Sequence, residues 1–185
     1  MFDYGHFAEK FRGPFESIRE RLRFYVPYFA GCREVLDLGC GRGEFLDLVP
    51  AARGIDLSAE CVALCRARGL RAEQADLFEH LASLPEASLD GIFCCQVVEH
   101  LPPVSLPGFV RLAASRLARN GVLAIETPNP ECLAIFATHF YLDPTHTRPV
   151  PHPLLGFYMQ EFGIGRLELH LLAGDFDYAL IGRRL

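Results

Sequence analysis

Three glycines at alternate positions, Gly39, Gly41 and Gly43, follow Asp37 in the run Asp37-Leu38-Gly39-Cys40-Gly41-Arg42-Gly43. Glycines at this density permit positive φ and let a ligand approach the backbone closely. The run lies between a short apolar stretch and a helix-length segment, so it falls at the carboxyl end of a strand, where open α/β sheets bind ligands. A dinucleotide turn of the form G-x-G-x-x-G would carry its third glycine at position 44, which is Glu, and no Gly-Lys-Ser/Thr follows for a phosphate-binding loop. Asp56, followed by Leu57, closes the second apolar run, where a carboxylate can accept hydrogen bonds from both hydroxyls of a ribose. Asp76 follows the third, with Leu77 beside it; an acid and an apolar residue there suit an adenine amino group and its ring face. Acids at the ends of three successive strands form a pattern that scattered surface aspartates do not.

Histidines supply the second set of reactive groups. His100 follows the fourth apolar run, and His139, His146 and His152 lie in or beside a proline-rich stretch from Pro128 to Pro153. Histidine titrates near neutral pH, which suits a general base; the alternative for each is a surface or helix-capping role. The spacings of seven and six in the loop match no usual zinc pattern, and no cysteine accompanies them as a clear fourth ligand, so no metal is expected. Tyr141, Asp143, His146 and Arg148 form the densest polar set in the loop. Arg148 can pair with a phosphate or carboxylate through its planar fork, or pin the loop through a salt bridge.

Composition limits the setting. The chain has 185 residues, half of them hydrophobic and 22% charged, which fits one globular domain and excludes disorder and collagen-like repeats. The net charge of -5 gives no electrostatic footprint for nucleic-acid binding. No apolar stretch reaches the roughly 20 residues of a membrane helix. The N-terminus has no charged region followed by an apolar run, so no secretory signal is expected and the setting reads as cytoplasmic. The seven cysteines include no C-x-x-C pair and read as reduced, small, buried apolar residues.

The elements that must position these residues alternate along the chain. Strands are expected over Glu34–Leu38, Arg53–Leu57, Leu70–Ala75, Asp90–Val98, Gly121–Glu126, Arg166–Leu172 and Tyr178–Gly182. Helices are expected over Ala59–Arg68, with Ser58 as N-cap and Gly69 as stop, over Ser105–Leu117, ended by Asn120-Gly121, and over about Pro153–Phe162. Such alternation implies right-handed crossovers and a mostly parallel sheet. The gap between the last two strands is too short for a crossover, so the sheet should end in an antiparallel hairpin. The Pro128–Pro153 stretch is long for a compact domain and is either partly helical or a functional loop. The aromatics Phe2, Tyr4, Phe7, Phe11 and Phe15 fit a first helix packed over the sheet edge or a ligand.

Together Val35–Gly43, Gly54–Ser58, Ala75-Asp76-Leu77 and Val97-Val98-Glu99-His100-Leu101 resemble the class I S-adenosylmethionine-dependent methyltransferases over nearly the whole chain. The resemblance implies a Rossmann-like, doubly wound, seven-stranded α/β sheet, mostly parallel with an antiparallel C-terminal strand and helices on both faces. It also implies that S-adenosyl-L-methionine is bound and S-adenosyl-L-homocysteine released. Asp37, Gly39, Cys40, Gly41 and Gly43 would lie near its methionine part, Asp56 and Leu57 at the ribose, Asp76 and Leu77 at the adenine, and Gln96 near the methyl group. Arg12, from an N-terminal helical lid over residues 1–30, would reach the cofactor carboxylate; its other reading is an exposed helix arginine.

A narrower resemblance joins Phe11-Arg12-Gly13-Pro14, Ile18–Leu22, Tyr25-Val26-Pro27-Tyr28, Glu126–Pro130 and Phe140–Pro149 to bacterial methyltransferases of surface-polysaccharide synthesis, such as the O-antigen chain-terminating enzymes. Those relatives often have a serine where Pro14 stands. Val98–Leu101 also resembles quinone or metabolite O-methyltransferases. The expected reaction is methyl transfer to an oxygen of a small-molecule or glycan-linked acceptor; a non-catalytic cofactor-binding module is the alternative. His100, His146 and Tyr141 are the candidates for handling the acceptor's proton, and His139, Asp143 and Arg148 for holding the acceptor. A nicotinamide oxidoreductase is disfavoured by Glu44 and by Lys10 being the single lysine. With the sheet occupying most of residues 1–185, acceptor choice falls to residues 1–30 and 128–153, and a partner or tethered substrate is expected to contribute.

Overall fold

The computed structural model describes residues 10–185; Phe2, Tyr4 and Phe7 lie outside them. Seven strands form one sheet: β1 (Val35–Leu38), β2 (Ala52–Asp56), β3 (Ala72–Gln74), β4 (Leu89–Cys95), β5 (Leu117–Pro128), β6 (Ile164–Leu172) and β7 (Asp177–Arg184). Their order is β3-β2-β1-β4-β5-β7-β6. The first five pair in parallel, and β7 runs antiparallel to both β5 and β6. The helices are α1 (Phe15–Leu22), α2 (Glu44–Leu48), α3 (Ala59–Ala67), α4 (Leu77–Ser83), α5 (Leu106–Arg116), α6 (His139–Leu142) and α7 (His152–Glu161).

Every residue of β1 is buried, as expected of a central parallel strand covered on both faces. Side-chain alternation divides the core in two. Leu36, Leu38, Ile92 and Leu123 face Leu81 of α4, Phe109 and Val110 of α5, and Leu155 and Met159 of α7. Val35, Phe93, Val122 and Ala124 face Ile18 and Leu22 of α1, Phe45 of α2 and Cys65 of α3. The rings of Phe45 and Phe93 stack at 4.0 Å on this second side. Gly54 of β2 has no side chain because Cys40 packs over it; a Cβ there would lie 2.5 Å from that of Cys40.

Local sequence signals explain most boundaries. The Ser58 hydroxyl accepts from Cys61 N at 3.2 Å and caps α3. Gly69, at φ +77°, follows its end. Three expectations are corrected. The fourth strand stops at Cys95, because Gln96 takes a left-handed φ of +57° and Val98–His100 form a 3₁₀ turn. Strand β5 starts at Leu117 rather than Gly121: pairing to β4 jumps from Leu89↔Leu117 to Gly91↔Val122, and Asn120-Gly121 lie in the resulting bulge. Helix α4 was not expected at all, although Asp76 caps it and Leu77, Phe78 and Leu81 lie on its apolar side.

The proline-rich stretch contains a 3₁₀ turn over Leu133–Ala137 and the short α6, so it is partly helical. It crosses the carboxyl end of β4, where Thr147 gives its backbone N–H and its hydroxyl to the Glu99 carbonyl at 2.8 and 2.9 Å.

Candidate functional site

The glycine turn, the ends of β1, β2 and β4, and the long loop share the carboxyl edge of the parallel strands. Gly39, Gly41 and Gly43 all take left-handed φ values, +73°, +52° and +86°. Gly39 N and Cys40 N both bond Ile55 O at 2.9 Å, and Gly43 N closes the turn onto Cys40 O at 2.9 Å. Arg12 reaches this turn: a Cβ at Gly41 would overlap its guanidinium. Arg42 ties the same N-terminal segment down through Gly13 O at 3.0 Å. Asp37 is buried beneath the turn. Burial, then the nearby Asp56, raises its carboxyl well above the ordinary range, and Arg12 partly offsets this.

Both oxygens of Asp56 are pinned by backbone amides, Oδ2 by Gly41 N at 2.8 Å and Oδ1 by Ser58 N at 2.8 Å. A carboxylate has about four acceptor positions, so capacity for a ligand remains. Leu57 beside it is 69% exposed. Asp76 Oδ1 accepts from Phe78 N at 2.8 Å and Glu79 N at 3.1 Å, so helix capping occupies one of its oxygens. Leu77 packs partly into the core.

Gln96 lies in a polar network absent from the sequence reading. Its side-chain amide donates to Glu126 Oε1 at 3.2 Å and to Asp177 Oδ1 at 3.0 Å. Glu126 is fully buried and also accepts from Arg21 of α1 and from the Tyr25 hydroxyl. Burial, reinforced by Glu126, raises the Asp177 carboxyl. A non-glycine residue held at positive φ among buried charges is typical of a functional position. The only sequence signal for this network was the acid at the end of β5.

His100 and His146 meet edge to face, with ring centroids 4.6 Å apart. Asp143 Oδ1 accepts the Thr145 hydroxyl at 2.6 Å, and Thr145 Oγ1 lies 2.8 Å from His100 Nδ1. The hydroxyl hydrogen is committed to Asp143, so Oγ1 accepts from His100 Nδ1–H. His146 Nδ1 donates to Phe140 O at 2.6 Å. In a neutral ring this places the lone pair on Nε2. Burial, then His146, lowers the His100 pKa and favours the neutral ring. Glu99, adjacent in sequence, is fully buried; burial pushes its carboxyl up to about 8, against a hydrogen bond of 2.9 Å from Thr127.

The remaining loop candidates do not join this pair. Tyr141 is exposed, with its ring beside those of Phe136 and Phe140. His139 packs on Phe176, and His152 pairs with Glu131 at 3.0 Å. Arg148 forms no ion pair among the described residues and lines a small crevice with Val98, Leu101 and Val150.

All seven cysteines are unpaired thiols. No helix among the described residues is long and apolar enough to cross a membrane.

Known proteins share this architecture. The family of methyltransferase domains matches residues 5–164. A solved S-adenosylmethionine-dependent methyltransferase from Archaeoglobus fulgidus superposes with a TM-score of 0.91 at 33% identity, over 99% of this chain and 100% of that one. A probable S-adenosylmethionine-dependent methyltransferase of Mycobacterium tuberculosis is 39% identical over 103 residues, 52% of this chain and 36% of that protein. A ubiquinone biosynthesis O-methyltransferase of Paracidovorax citrulli is 32% identical over 99 residues, 48% of this chain and 40% of that protein. The matched stretches thus span less than half the length of these curated relatives. The family match and the full-length superposition agree with the glycine turn and the strand-end acids: the chain belongs to the S-adenosylmethionine-dependent methyltransferases.

Proposed function

We propose that this chain moves the methyl group of S-adenosylmethionine to an oxygen of a small-molecule or glycan-linked acceptor. The observation that carries the cofactor half is the Asp56 carboxylate, fixed by Gly41 and Ser58 beside the exposed Leu57 at the end of β2. A pinned acid next to an uncovered apolar face fits a ribose and its base, and the turn of Gly39, Gly41 and Gly43, with the Arg12 guanidinium against Gly41, would meet the amino-acid part. When bound, the cofactor supplies a methyl group on a positively charged sulfur. Arg12 would then hold its carboxylate, and Asp76 and Leu77 would meet the adenine.

In the transfer a C–O bond forms, the S–C bond breaks with its electron pair left on sulfur, and the acceptor hydroxyl loses a proton. Position and alignment supply most of the rate. The proton is the part that needs a side chain, and the Nε2 lone pairs of His100 and His146 are suited to take it. Gln96 would lie near the methyl group; Tyr141 is the third candidate for the acceptor's proton, and His139, Asp143 and Arg148 would hold the acceptor from the loop. The two matching O-methyl acceptor classes, sugars and quinols, follow from the surface-polysaccharide resemblance and from the ubiquinone-biosynthesis relatives.

A screen with radiolabelled S-adenosylmethionine across glycans, phosphosugars and quinols tests this. Label in an O-methyl product is expected. Label found only on nitrogen or carbon acceptors overturns the oxygen reading, and no S-adenosylmethionine binding by calorimetry overturns the whole.

A further inference from the structure

Glu99, His100 and His146 each bring a ligand-type atom to one place: a carboxylate oxygen and two ring nitrogens within 4.8 Å of one another. Three features make this more than a chance cluster. Glu99 Oε2 is engaged by Thr127, but Oε1 is buried and has no hydrogen-bond partner among the described residues. A buried, unsatisfied oxygen is costly and rare in folded proteins. Both histidines are also oriented from behind through Nδ1, His146 by a backbone carbonyl and His100 by the Thr145–Asp143 relay. Metal-bound histidines are held in this way, the hydrogen bond fixing the tautomer and leaving Nε2 for the ion. Finally, the backbone is braced there: Thr147 of the loop bonds the Glu99 and Leu101 carbonyls at 2.9 and 2.7 Å.

We infer that Glu99, His100 and His146 form a binding site for a divalent first-row transition-metal ion, with an open coordination position toward the methyl acceptor. Two imidazoles and one carboxylate suit zinc, cobalt, manganese or iron rather than magnesium or calcium, which take oxygen ligands. Two histidines and one glutamate are a ligand count at which catalytic zinc sites keep a fourth position free. Donors around such an ion sit about 3.4 Å apart at bond lengths near 2.1 Å, so small side-chain movements close the site. The loop spacing alone excluded zinc; it is His100, outside the loop, that completes the set. The role at the acceptor rests on the oxygen-transfer reading above and takes the place of the histidine base there: with both Nε2 atoms on the ion, its positive charge would lower the pKa of an acceptor hydroxyl, whose proton would pass to solvent. The site itself does not rest on that reading.

The test uses Co²⁺ and Zn²⁺ with the chelator-stripped full chain. One equivalent of Co²⁺ is expected to bind with visible d–d absorption, and Zn²⁺ is expected to displace it. His146→Ala and Glu99→Gln should each weaken Co²⁺ binding at least about tenfold, and Thr145→Ala, which removes only the relay, should weaken it about tenfold with recovery in Thr145→Ser. His139→Ala, outside the cluster, should bind as the parent. Thermal unfolding verifies that each variant is folded. No stoichiometric Co²⁺ binding by the folded parent overturns the proposal, as does equal binding by His146→Ala, Glu99→Gln and His139→Ala. Metal bound tightly while no O-methyl product forms leaves the site standing and overturns the acceptor reading instead.

Discussion

Tyr25 donates its hydroxyl to Glu126 through the middle of the fold, joining the 3₁₀ turn after α1 to the end of β5. Both residues are completely buried. With Arg21 and Gln96 on the same carboxylate, this contact links the N-terminal segment to the end of β5 and to the turn after β4. Tyr25→Phe removes one donor and leaves a buried carboxyl partly unsatisfied. A loss of about 1–3 kcal/mol in urea unfolding is expected. Unchanged stability would mean that Arg21 and Gln96 satisfy Glu126 by themselves.

Gly41→Ala places a Cβ against the Arg12 guanidinium at a left-handed φ of +52°. The backbone penalty alone is roughly 1–2 kcal/mol. S-adenosylmethionine affinity should fall in Gly41→Ala. Adding Arg12→Ala should restore part of the stability, because it relieves the clash but not the backbone strain. If the double variant is no more stable than Gly41→Ala, Arg12 does not crowd the turn in solution.

Saturating ligand should be visible in thermal unfolding. At a concentration a hundredfold above Kd, S-adenosylmethionine adds about 2.7 kcal/mol, which for a chain of this size is roughly 5–10 °C in Tm. Asp56→Ala should raise Kd by roughly 10–100-fold, the loss of one charge-assisted hydrogen bond or more. A Tm shift in Asp56→Ala equal to that of the parent, measured across the same titration, counts against the ribose assignment.

Asp37 predicts a pH dependence. Burial and the neighbouring Asp56 raise its pKa in the folded chain, so the native state holds a proton that the unfolded chain releases above about pH 4. Its contribution to stability is therefore full below the unfolded value and is lost as pH rises toward the folded one. Asp37→Asn cannot release that proton. The stability of Asp37→Asn relative to the parent, without ligand, should grow from pH 4 to pH 8. A constant difference across that range would refute the raised pKa.

The parts of the site that were legible in the sequence are local. The glycine turn, Asp56 and Ser58 lie within a strand or the turn that follows it, and their roles derive from φ values and strand ends that a short run of residues determines. Asp76 shows the limit of such reading. Its place after a strand suggested an adenine contact, yet its side chain also caps α4, and a cap and a ligand contact call for the same residue type. The break after Cys95 was hidden because Gln96-Val97-Val98 continue an apolar pattern, while the left-handed turn at Gln96 is held by Glu126 and Asp177 from other strands.

The sequence by itself determined the alternation of strands and helices, the antiparallel end of the sheet, the glycine turn and the row of strand-end acids. Each is encoded by periodicity or by neighbours a few positions apart. Only the tertiary structure decided which polar groups meet. It brought Arg21, Tyr25, Gln96 and Asp177 to Glu126, set His100 against His146 rather than against the other loop histidines, and left one oxygen of Glu99 buried without a partner among the described residues. Such contacts join segments far apart in the chain, and hydrophobic pattern carries no information about which charged side chains packing will bring together.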